Sequence, residues 1–146
     1  MGMMKRRSLA SLLFALGLLA GCNRSTPASK APDPSALLQN IPDADPKAYA
    51  GIDVQAWKNP YLIVKPDGIA ILDIADSEER LIKPEELPQE LAKLPQSAWP
   101  YGRVVSATMS GNPDTEDGKA TLRKNRALVS GTLKDLHIYI NWVSSS

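Results

Sequence analysis

Two short apolar runs, Tyr61-Leu62-Ile63-Val64 and Ile69-Ala70-Ile71-Leu72, flank the tetrapeptide Lys65-Pro66-Asp67-Gly68. Proline pre-sets φ at the second position of a type I turn, aspartate is tolerated at the third, and glycine supplies the fourth. Two apolar runs rich in β-branched residues, joined through such a turn, predict a β-hairpin. This is the firmest local constraint in the chain, and the folded part is expected to begin just ahead of it, near Gly51 or Ile52.

Beyond the hairpin, Leu87, Leu91 and Leu94 fall at i, i+4 and i+7 between Ile82 and Pro95, which is one helical stripe. Pro84 and Glu85-Glu86 suit a first turn, where N–H groups lack partners and the dipole favours acids. Pro88 would block a backbone bond in a helix running from Pro84, so a start at Pro88 after one loose turn is the alternative. Arg103 to Met109 reads as a strand, and a polar loop, Ser110 to Gly118, follows it. Lys119 to Asp135 carries Leu122, Val129 and Leu133 near one helical face, with Leu136 just beyond. From His137 to Val143, Ile138, Ile140 and Trp142 alternate with more polar neighbours, as in a half-buried strand. The expected order is β-β-α-β-α-β. It gives an α+β fold, a small mixed β-sheet of about four strands with two helices packed on one face.

At the N-terminus, Lys5, Arg6 and Arg7 precede an apolar run that ends in Leu19-Ala20-Gly21-Cys22. A positive region, a short apolar region and small residues before a cut make a secretory signal. The run from Ser8 to Gly21 is about 14 residues, short of the ~20 that span a bilayer. The tetrapeptide resembles the lipobox of bacterial lipoproteins. That resemblance implies diacylglycerol on the Cys22 sulfur, cleavage before Cys22 and an acylated new N-terminus. Each buried CH₂ contributes ~0.8 kcal/mol, so two or three chains anchor firmly where one does not. Arg6-Arg7-Ser8-Leu9 faintly resembles a twin-arginine signal, but the Leu-rich run favours the general secretory route. Asn23 stands where an aspartate would imply inner-membrane retention in enteric bacteria. The expected address is therefore the outer membrane, facing the periplasm. Cys22 is the only cysteine. Its lipidation would leave no thiol for disulfides or for nucleophilic catalysis.

Three regions are expected: a signal peptide over 1–21, a Pro-rich flexible tether over 22–58 and a globular domain over 59–146. Pro27, Pro32, Pro34, Pro42 and Pro46 recur among Ser, Ala, Asp and Lys without periodicity, which is linker composition. Leu37-Leu38 and Ile41 interrupt it, as a short turn docked on the domain or as an anchoring patch. Cleavage removes three of the 17 basic residues and none of the 16 acidic ones, leaving the mature chain near −2. Near-neutrality and export both argue against a nucleic-acid partner.

From Asn59 to Val143 the element order and the Asp67-Gly68 turn resemble the periplasmic domain of the ExbD/TolR family. The resemblance implies a fold only. Those proteins are anchored by a transmembrane helix bearing a functional Asp, and this chain has a lipobox instead, so proton-driven coupling is not carried over.

No catalytic constellation is legible. His137 is the sole histidine and has no Ser or Cys nearby to form a nucleophile pair. One His and no free Cys leave only carboxylates for zinc. Asn112-x-Asp114-x-Glu116 is similar to the start of a calcium loop, but Asp117 and Arg123 stand where that loop requires Gly and Glu. Helix capping by Thr115 or Asp117 accounts for the acids there. Glu85, Glu86 and Glu90 supply carboxylates, and an envelope hydrolase using Glu85 or Glu90 is the alternative reading.

Two features point to binding instead. Lys119, Arg123, Lys124 and Arg126, with Lys134, make a basic surface suited to anionic headgroups, peptidoglycan carboxylates or an acidic partner. Trp99 and Tyr101, in the loop Trp99-Pro100-Tyr101-Gly102, make either an aromatic binding lip or a cap on the core. The sequence thus reads as a non-enzymatic binding or assembly module of the cell envelope. It is expected to need no cofactor or metal, to hold the membrane through Cys22, and to meet an envelope protein or peptidoglycan.

Overall fold

The structure, a computed structural model, describes residues 32–73 and 78–144. The signal segment and the lipobox with Cys22 lie outside the described residues. The hairpin forms as β1 (Tyr61–Lys65) and β2 (Gly68–Asp73), antiparallel, with Lys65 opposite Gly68 across Pro66-Asp67. A Cβ at Gly68 would lie 2.5 Å from the carbonyl oxygen of Ile82, so the turn glycine also makes room for the neighbouring strand.

That neighbour is β3 (Glu78–Ile82), antiparallel to β2. On the other side β4 (Val104–Met109) runs parallel to β1, and β5 (Tyr139–Trp142) runs parallel to β4. The sheet order is β3-β2-β1-β4-β5, so the fold is mixed α+β with five strands where about four were expected. The missed strand begins Glu78-Glu79-Arg80, and four of its five residues are exposed. An edge strand defended by charge shows no apolar alternation to read.

One sheet face carries Leu62, Val64, Ile69, Ile71, Val105 and Ala107, all buried in a single core. Four helices complete the described fold: α1 (Pro34–Leu38), α2 (Pro46–Tyr49), α3 (Leu87–Ala92) and α4 (Glu116–Asp135). Leu38 of α1, Leu87 and Leu91 of α3, and Leu122, Val129 and Leu133 of α4 enter the same core. Each such side chain, fully buried, contributes roughly 1.5–3 kcal/mol. A 3₁₀ turn, Pro84–Glu86, leads into α3, and this places Pro88 in the first α-turn, where it blocks no bond.

Thr115 caps α4, its hydroxyl accepting from the Gly118 N–H at 3.1 Å. Buried Asn125 of α4 donates to the carbonyls of Lys65 and Pro66 at 2.8 and 3.3 Å, tying the helix to the hairpin turn. At its other end, His137 takes φ 55°. The His137 N–H donates to Lys134 O at 3.0 Å and the Ile138 N–H to Leu133 O at 2.8 Å, a Schellman closure.

Residues 32–58 are not the tether expected of them. Asp33, Asp45 and Asp53 each cap a short helical turn, and a proline follows the first two. Leu38 and Ile41 are buried in the helix-side core, so of the two readings of that patch the docked turn is the one found. Trp57 packs with Tyr61 and Val104 on the opposite sheet face, against Tyr49 and Tyr101. The backbone is tied as well: Arg103 N–H donates to Pro42 O at 2.9 Å and Asp45 N–H to Tyr101 O at 3.2 Å. The folded part already includes α1 and its N-cap Asp33, which moves the expected boundary at Asn59 toward the N-terminus. The prolines open helical turns, and the apolar residues dock singly rather than as a periodic face.

Candidate functional site

β5 is the last strand of the sheet, and its ladder fixes which of its backbone groups are left over. Tyr139 N–H donates to Arg103 O at 2.9 Å and Val143 N–H to Ala107 O at 2.8 Å. In a parallel ladder alternate residues bond to the same neighbour, so the N–H and C=O of Ile140 and Trp142 turn away from β4. No described strand lies beyond them. On the face shared with α4, Ile140 and Trp142 are half-buried, whereas Tyr139 on the other face is 66% exposed.

The helical period places Lys119, Arg123 and Arg126 on one side of α4, and the same stripe continues to Ser130 and Lys134. The later part of this stripe, from Arg126 to Lys134, lies beside β5. The Arg126 guanidinium lies 4.8 Å from the centroid of the Trp142 ring. Ser130, Lys134 and His137 line an open groove of about 760 Å³ with Ile138, Tyr139 and Ile140. A second hollow of about 320 Å³ opens where Arg126 and Trp142 meet Met109 and Val143. Arg103, paired with Asp43, closes the N-terminal end of the larger groove.

The four cations expected to form one basic surface therefore separate. Lys119 is paired with Glu116 at 3.0 Å. Lys124, exposed, sits ~100° around the helix from Arg123 and off the stripe. Arg123, Arg126 and Lys134 have no acidic partner among the described residues. The sequence carries the continuation of the stripe to Lys134 in its spacing. It does not carry the strand order that sets β5 at the edge beside it.

Trp99 is 3% exposed and belongs to the helix-side core, so it is no binding lip. Tyr101 is half-buried against Trp57 and Tyr49, its ring centroid 5.1 Å from that of Trp57. Buried Asn59 holds their loop. Its amide donates to Gly102 O and Val104 O at 2.8 and 2.7 Å, and its oxygen accepts from Tyr101 N–H at 2.9 Å. The loop is a cap on the core.

Two of the carboxylates weighed for hydrolysis, Glu86 and Glu90, have structural roles. Glu86 accepts from Lys83 N–H at 2.9 Å, satisfying a free donor at the start of the helical segment. Glu90 is bonded to Lys93 at 2.7 Å and paired with Arg80 at 2.6 Å. The Lys93 bond and the two positive charges hold its carboxyl below the usual range against the opposing effect of burial. A carboxylate held ionised in this way is poorly placed to donate a proton. Among the described residues no three His, Cys, Asp or Glu side chains gather to hold a metal, and no helix is long and apolar enough to cross a membrane.

No protein-family model matches the chain, and no solved structure matches it.

Proposed function

We propose that the chain is a lipid-anchored, non-enzymatic binding module of the bacterial cell envelope, held by Cys22 and facing the periplasm from the outer membrane. The observation that carries the reading is Leu19-Ala20-Gly21-Cys22 behind a basic and then an apolar segment. The fold supports the binding half. Glu86 and Glu90 are engaged in a helix-start hydrogen bond and in ion pairs, and Lys134 and Arg126, without acidic partners among the described residues, line two hollows beside a sheet edge.

The anchor has a direct test. Metabolic labelling with a palmitate analogue should mark the chain, and membrane fractions should contain it at the mass of a form cleaved before Cys22. Cys22→Ser should abolish labelling and leave an uncleaved precursor. Normal processing of that variant would defeat the reading.

A further inference from the structure

The geometry points to β5 as an acceptor strand: its free edge takes up an extended acidic segment of a partner protein, whose carboxylates meet Arg126 and Lys134. This deepens the binding-module reading and rests on it. Three observations converge. The outward N–H and C=O groups of Ile140 and Trp142 offer a ladder with no described occupant. An added strand would find its main-chain partners there, as in β-augmentation.

Spacing supplies the second observation. Arg126 and Lys134 are eight residues apart on α4, about 12 Å at the helical rise. Four residues of strand cover about 13 Å, so the two cations match positions i and i+4 of an added strand, on one face of the sheet. Ser130, midway between them and lining the groove, faces position i+2.

Charge and exposure supply the third. The cations beside the edge lack acidic partners among the described residues, so an acidic segment gains pairing at no cost to internal ion pairs. On the other face of β5, Tyr139 stands 66% exposed and offers an apolar side chain something to cover. The preferred segment therefore alternates: acidic toward α4, apolar beside Tyr139. A membrane surface fits less well, because the cations flank a groove and a backbone edge rather than a flat face.

The test uses the full chain in detergent and a fluorescent octapeptide of alternating Glu and Val. Anisotropy should report binding, and a Lys/Val peptide should not bind. Two analogues, N-methylated on the Glu or on the Val residues, keep the charge and block one hydrogen-bonding edge each. One should lose at least tenfold in affinity and the other should retain it. The double variant Arg126→Glu, Lys134→Glu should also lose at least tenfold while still unfolding cooperatively with a wild-type circular dichroism spectrum, and Lys124→Glu should bind as wild type.

Equal binding of both analogues would reduce the contact to bulk charge and overturn the proposal, as would binding that survives the double reversal. Phosphatidylglycerol vesicles that bind through the same two residues, with no peptide binding, would reassign the surface to lipid. A dimer in sedimentation that the double reversal dissolves would reassign it to a second copy. Failure of Cys22 labelling would leave all these readings intact, so loss of the anchor and loss of the acceptor edge are told apart.

Discussion

At the β3 edge of the sheet, Glu79 is paired with Lys65 of β1 and Arg80 with Glu90 of α3. At the β5 edge, Arg126 and Lys134 have no such partners among the described residues, and Tyr139 stands in the open. Both edges carry charge, which blunts edge-to-edge pairing of sheets. They differ in what the charge is for. Ion pairs at β3 close that edge internally and leave little to recruit a partner. Spare cations at β5 repel a second basic edge and still admit an acidic strand.

The largest expected effect tests what seals the N-terminal end of the β5 groove. Gly102 takes φ 78°, and a Cβ there would lie 2.3 Å from Asp43 O. Gly102→Ala must therefore strain the left-handed backbone and push the 42–45 segment off β4. We expect a loss of about 3–4 kcal/mol in chemical denaturation, combining ~1–2 kcal/mol of backbone strain with the broken contacts. Asp43 would then leave Arg103, adding one more free cation to the groove. A loss under ~1 kcal/mol would mean that the 42–45 segment does not seal that end.

Leu38→Ala comes next, at about 3 kcal/mol for a side chain buried to 1% exposure. A tether residue would cost nothing, so an unchanged melting curve would restore the linker reading of residues 32–58. His137→Gly should run the other way, gaining about 0.5–1 kcal/mol. A side chain at φ 55° is strained where glycine is not, and glycine's greater unfolded-state freedom offsets part of the gain. Because the carboxylates are proposed to meet Arg126 and Lys134 and not His137, acidic-peptide binding should survive this change.

Much of the fold was legible in the sequence wherever one periodicity ran long enough. The turn between β1 and β2, the buried face of α4 and the alternation of Ile138, Ile140 and Trp142 follow from local rules that tertiary structure did not override. β3 was hidden because an edge strand faces water, and Glu78-Glu79-Arg80 shows no apolar alternation. The 32–58 segment was hidden because it docks through backbone hydrogen bonds and single apolar residues. A signal was nonetheless present there: Asp33-Pro34 and Asp45-Pro46 are an N-cap followed by a proline at the first helical position. Trp99 could have packed inward or outward, and the apolar space left by Leu38, Leu87 and Leu91 decided it. The groove was least legible, since its cations are local on α4 but the edge they overlook is a property of strand order.

The smallest effect compares the two edges directly, through pH. Glu90 has a lowered pKa because the Lys93 hydrogen bond and the nearby Arg80 and Lys93 charges favour its ionised form. A depressed carboxyl contributes stability that is present above its unfolded-state value, ~4.3, and is lost as pH falls through the lower folded value. Arg80 and Lys93 are largely exposed, so screening limits the contribution to about 0.5–1 kcal/mol at neutral pH. Glu90→Gln should therefore lower stability by that amount at pH 7, and the gap from wild type should narrow progressively below pH ~4.3. Lys134→Gln, at the other edge, breaks no ion pair of its own and should leave stability within ~0.5 kcal/mol of wild type across that range. A comparable acid-sensitive loss from Lys134→Gln would mean that β5, too, is closed by internal pairing, and an acidic strand would then have no spare charge to meet.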